Sequence, residues 1–235
     1  MALQTEIYLS GKLNNLVFYT SGGQKLVRTR PSNVKQSVNM QVRSRNFGIA
    51  AAAGRVMRSL LEPMLPFPKD RGMQILFSGA ISCWLGLSDI ASLPPQQPLE
   101  ALAGFSFNRQ VAFTDRCKIP FVINSNHLNE LQVTLPAFNC ATVFAAPAGT
   151  QQVEIIFSLA ACALQGATNG NGHTQKLVFP FNVQLQPAQT LVLPAAIQRG
   201  SLLLLGAAAR FIKEQGKADS RPAYLPAGII WAAYY

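Results

Sequence analysis

The spacing of apolar residues changes character twice along the chain. Near the start, EIYLS and NLVFYTSGGQKLVRTRP hold β-rich runs on either side of Ser21-Gly22-Gly23, where glycine supplies the positive φ angles of a tight turn. The alternation predicts that Leu16 to Tyr19 pairs with Lys25 to Thr29. Lys25, Val27 and Thr29 then lie on one face and Leu26, Arg28 and Arg30 on the other, and Pro31 ends the strand. From about Asn39 to Leu61 the period becomes helical: Val42, Ile49, Ala53, Val56 and Leu60 fall in one arc, with Arg43, Arg55 and Arg58 opposite. The proline-spaced EPMLPFPKD closes that helix, and a second, shorter one is expected from Gly72 to Leu85.

Beyond this point SLPPQQPLE, Ser92 to Glu100, has the composition of a linker. Short apolar runs then recur between Pro, Gly and Asn: FSFN, QVAFT, KIPFVINS, LQVTLPAF, ATVFAAP, QQVEIIFSLAACAL, QKLVFPFNVQL, QTLVLPA, SLLLLGAAARFI and GIIWAAYY. Such spacing belongs to sandwiches and barrels. The predicted class is mainly β, α+β overall. A basic hairpin-and-helix module covers residues 1–91, a linker residues 92–104, and an antiparallel β-sandwich residues 105–235. GATNGNGH, Gly166 to His173, reads as a hairpin loop by composition. For Gly200 to Lys213 a helix remains open as the alternative to a strand, and the sandwich topology is open between immunoglobulin-like and jelly roll.

Charge sharpens this division. The 235 residues carry a net +10, of which residues 1–75 hold +8, from eleven Lys/Arg against Glu6, Glu62 and Asp70. No acid stands between Glu6 and Glu62. Lys25, Arg28, Arg30, Lys35, Arg43, Arg45, Arg55 and Arg58 are therefore the candidate interface or polyanion-binding residues, with Tyr19 available to stack on a base. The β region is the opposite: Pro120 to Gln175 has no Lys or Arg, and its only acids are Glu130 and Glu154. Soluble monomers protect sheet edges with charge, so a region this neutral suits an assembly. The terminal GIIWAAYY either completes its own sheet or adds to a neighbour's, which makes Trp231, Tyr234 and Tyr235 a second candidate interface.

Candidate chemistry is thin by contrast. His127 and His173 both sit in turn-like sequence, the carboxylates are scattered, and neither GxxxxGK[ST] nor GxGxxG occurs. Ser21-Gly22-Gly23 with Lys25 lies between strands rather than before a helix, which favours a hairpin over a phosphate cradle. Cys83, Cys117, Cys140 and Cys162 lack metal-ligand spacing, so free thiols are expected, with two disulfides as the alternative. These absences predict no enzyme activity, no cofactor and no metal. MALQTEIYLSGKLNN lacks the features of a secretory signal, and SLLLLGAAA is half the length of a membrane span. The expected location is the cytoplasm, an assembled particle, or outside the cell by a non-classical route.

GKLNNLVFY, the glycine turn, KLVRTRP and the helical NFGIAAAAG together resemble the N-terminal pattern of an uncharacterised family of Bacteroidota and their mobile elements. The resemblance spans at most the first 90 residues and implies neither a catalytic residue nor a ligand. The leading expectation is a self-assembling homo-oligomer, a subunit of a filament, tube or shell. Nucleic-acid binding through phosphate contacts comes second. A carbohydrate- or protein-binding sandwich using the Gly166 to His173 loop comes third.

Overall fold

A computed structural model describes residues 2–5, 8–31, 35–87, 97–126, 130–164, 169–182, 184–195 and 198–235. The fold is mainly β, and the chain divides into two compact units, Met1–Val42 and Arg43–Tyr235.

The first unit is an antiparallel sheet of four strands in sequence order: β1 (Ala2–Thr5), β2 (Tyr8–Leu13), β3 (Leu16–Ser21) and β4 (Gln24–Thr29). The expected hairpin is present, running from Leu16 opposite Thr29 to Ser21 opposite Gln24. Gly22 and Gly23 turn it with φ of 56° and 79°, the two-residue geometry whose twist matches the flanking strands. Helix α1 (Val38–Leu61) starts in this unit, where the Met40 amide donates to the Ser37 hydroxyl at 3.3 Å and caps the first turn.

The second unit has three layers. Its middle is a five-stranded sheet of β5 (Gln97–Pro98), β9 (Thr150–Ala163), β10 (Gly170–Pro180), β13 (Ser201–Lys213) and β14 (Ala227–Tyr234), in the order β10-β9-β13-β14-β5. On one face lie α1 and α2 (Arg71–Leu87), which share a core with Ile156, Ala160, Leu202, Leu204 and Ile229. The other face packs against a three-stranded sheet of β6 (Val122–Asn126), β7 (Glu130–Leu135) and β12 (Gln189–Pro194), order β12-β7-β6. The unit also holds two short helices, α3 (Phe113–Arg116) and α4 (Cys140–Val143), and the pair β8 (Phe138–Asn139) with β11 (Leu185–Gln186). Covering on both faces explains the unbroken apolar run of β13: every residue from Ser201 to Ala209 is buried. Gly200 to Lys213 therefore contains a strand and not a helix.

Several expectations need correction. The helices do not form a module apart from the sandwich, because Met57, Leu61, Phe77 and Ile81 are part of the core beneath the five-stranded sheet. Residues 97–104 are packed, not a free linker: Leu99 and Leu102 are buried and the Leu99 amide donates to Ala232 O at 3.0 Å. Residues 92–96 lie outside the described residues. FSFN is an aromatic anchor, with Phe105 and Phe107 each 5.3 Å from Phe77, and QVAFT and ATVFAAP run into α3 and α4. In α1 the buried line is Ala50, Ala53, Gly54, Met57 and Leu61. It is rotated by about one residue from the predicted arc, because α2 crosses so near Gly54 that a β-carbon there would stand 2.9 Å from Ser78 Oγ. Val42 is exposed.

The predicted loop at Gly166 to His173 is shorter than its composition suggests. Gly170 to His173 belong to β10 and pair with Cys162 to Leu159, while 166–168 lie outside the described residues. Its glycines serve packing rather than turning, since β-carbons at Gly170 and Gly172 would press on Val56 and Leu60 of α1.

Candidate interaction surface

No residue from 8 to 31 or from 35 to 42 is buried. Sheets gain independent stability from a covered apolar face, and β2 to β4 have apolar side chains without one. Tyr8, Leu13, Tyr19, Leu26 and Val27 are all exposed, Val27 to 55%. Cross-strand pairing puts Val17, Tyr19, Leu26 and Arg28 on one face, and Phe18, Lys25 and Val27 on the other. Lys25 Nζ lies over the Tyr8 ring at 5.6 Å and the Arg28 guanidinium over the Tyr19 ring at 5.5 Å. Each is a cation on an exposed aromatic face.

The remaining candidate cations follow in order. Arg30 and Lys35 are exposed in the segment before α1, and Arg43 and Arg45 are exposed on its first turns. Arg55 and Arg58 belong to the second unit, one turn apart on α1. Arg58 is half-buried and donates from Nε to Gly54 O at 3.2 Å. Burial, and then the positive charge of Arg55, lower the Arg58 pKa from its ordinary value, although the guanidinium stays charged. None of these eight cations is in an ion pair among the described residues, whose four salt bridges all involve Glu154 or Asp219. Lys25, Arg28, Arg30 and Lys35 belong to the first unit, and Arg43, Arg45, Arg55 and Arg58 to the second.

Trp231, Tyr234 and Tyr235 have a different place. β14 is held between β13 and β5, pairing from Leu202 opposite Tyr234 to Ala208 opposite Ala227, so its backbone completes its own sheet and is not free to extend a neighbour's. Tyr234 and Tyr235 are buried and Trp231 is half-buried against the sandwich core. The expected C-terminal interface is thus an internal strand.

Two features of the surface were not read from the sequence. α2 carries no charge after Arg71, yet Ile75 and Leu76 face outward at 64% and 50% exposure. An apolar cleft of about 250 Å3 opens between β6 and β14. The first has a visible signal, the sixteen uncharged residues that follow Arg71. The second has none, because it depends on how many strands each sheet holds.

His173 is in β10 opposite Leu159, and His127 lies outside the described residues. Among the described residues no group of three His, Cys, Asp or Glu is placed to hold a metal ion, and no helix is long and apolar enough to cross a membrane. All four cysteines are free. Cys117, Cys140 and Cys162 are buried, and burial pushes the Cys117 thiol up to about 12. No protein-family model, curated protein or solved structure matches the chain.

Proposed function

We propose that the protein is a non-enzymatic structural subunit that assembles with copies of itself, using its N-terminal sheet as the docking element. The observation that carries this reading is that strands β2 to β4 of the N-terminal sheet hold no buried residue, and their exposed Tyr8, Leu13, Leu26 and Val27 need a cover. The outward Ile75 and Leu76, adjacent on α2, support it, since large apolar side chains exposed side by side mark a contact surface. A second copy is the occupant that meets both needs at once.

The test is electron microscopy and light scattering on nuclease-treated protein at low and high salt. Regular filaments, tubes or closed particles at both salts are expected, and their loss in a Tyr19→Ser, Leu26→Ser, Val27→Ser variant. Uniform monomers at both salts would sink the reading.

A second reading is favoured by one specific observation. Lys25 over Tyr8 and Arg28 over Tyr19 pair cations with exposed rings, and no acid neutralises them among the described residues. That is the chemistry of a sequence-tolerant single-stranded nucleic-acid surface. Oligonucleotide binding would then weaken with salt by about one log unit per log unit of salt for each phosphate contacted. Binding that ignores salt would exclude it.

A further inference from the structure

The two sheets of the sandwich are unequal: five strands on one side face three on the other. The smaller sheet stops at β6, which pairs with β7 from Val122 opposite Thr134 to Asn126 opposite Glu130 and has no strand on its other side among the described residues. Beside that edge lies the apolar cleft of about 250 Å3, lined by Phe121 and Ile123 together with Phe105, Phe113, Ile229 and Ile230. The wall at Phe105 and Ile229 has its backbone satisfied, since each amide donates within the fold, that of Ile229 to Phe105 O at 2.8 Å. The β6 edge is different. A strand laid beside it, about 4.8 Å away, would take up its amides and carbonyls and turn alternate side chains into the cleft.

β4 has the matching chemistry. It is an edge strand with every residue exposed, and it reads Lys25-Leu26-Val27-Arg28, an apolar pair bracketed by cations. β6 and the cleft lining hold no charged residue. The carboxylates beside them are Asp115, in the same helical turn as the rim residue Thr114, and Glu130, opposite Asn126 at the far end of β6. Neither is in an ion pair among the described residues.

We propose that strand β4 of a second copy adds to the open edge of β6, seating Leu26 in the apolar cleft and bringing Arg28 to the rim near Asp115. This rests on the self-assembly reading and names its acceptor. The contact is head-to-tail, because donor and acceptor are different surfaces. Repetition therefore gives an open filament or a closed ring, of which a reciprocal pair is the smallest.

The test uses the full chain, with light scattering over a concentration series. Ile123→Trp fills the cleft. Val122→Lys with Asn124→Lys charges the edge at outward positions and leaves the core alone. Leu26→Ser removes the donor side chain. All three are expected to raise the dissociation constant of the oligomer by about tenfold or more while melting remains cooperative. If Ile123→Trp fails to fold, the double lysine variant carries the test. Oligomers whose dissociation constant is unchanged in the folded variants would overturn the β6 site and leave self-assembly standing. A wild-type chain that is monomeric at its highest soluble concentration would overturn both.

Discussion

Gly170 lies so close to the carbonyl oxygen of Ala161 that a β-carbon on it would stand 2.6 Å away, with Leu60 and Val56 of α1 only 2.9 Å off. A backbone oxygen in a paired strand has little room to retreat. Gly170→Ala is therefore expected to destabilise by about 1–3 kcal/mol, as overpacking does. Gly172→Ala meets the flexible Leu60 side chain at 3.1 Å and should lose less. Urea denaturation of both variants checks the order, and equal stabilities would show that the helix shifts to make room.

That pair also shows where composition misleads. Gly170 and Gly172 in GATNGNGH look like turn glycines, yet they are needed because a helix lies against a strand. Local signals were legible where the cause was local. The hairpin at Gly22-Gly23 and α1 follow from turn chemistry and helical period, and both are found within a residue or two of their expected bounds. Leu202 to Leu205 gave no period at all, since a strand covered on both faces has no polar side to reveal it. The domain boundary was misplaced for a related reason: Pro94, Pro95 and Gln96 mark a break in composition, but Leu99 and Leu102 beyond them return to the same core as the helices. The basic cluster was plain in the sequence. Its division between two units was not, because that depends on α1 running from one into the other.

The cysteines should differ sharply in reactivity. Cys83 is exposed on α2, whereas burial raises the pKa of Cys117, Cys140 and Cys162. Only a thiolate attacks, so a neutral-pH thiol reagent should label one site per native chain and four in denaturant. Mass spectrometry of the labelled peptides checks this. Rapid native labelling of Cys117 would mean that the core opens on the timescale of the reaction.

Asp219 is the buried anchor of the segment after β13. It accepts from Arg221 Nη2 at 2.7 Å, and Lys213 Nζ stands 2.9 Å away. The hydrogen bonds from Arg221 hold its carboxyl well below the usual range, against the upward push of burial, and Lys213 adds to them. A carboxylate whose pKa is lowered by folding stabilises the fold above its unfolded pKa, near 4, and that contribution fades as pH falls through the folded value. The melting temperature should thus hold from neutral pH down to about pH 5 and drop below about pH 4. Asp219→Asn should lower it at neutral pH by a few degrees and flatten the acid limb. An unchanged acid limb would place the sensitivity on other carboxylates.

Arg55 and Arg58 carry the most direct test between the two readings of the basic residues. They lie one turn apart on α1, no acid pairs with either among the described residues, and Arg55 already disfavours the charge on its neighbour. Like charges at this spacing cost a helix about 0.2–0.5 kcal/mol, which an anion bridging them would relieve. If the pair is an anion site, sulfate should raise the melting temperature more than chloride at equal ionic strength, and Arg55→Gln with Arg58→Gln should abolish the difference. The same double variant should then reduce the salt slope of oligonucleotide binding by about two. Sulfate and chloride curves that superimpose would make the pair a solvated face, and the nucleic-acid reading would keep only the cations on and beside the N-terminal sheet.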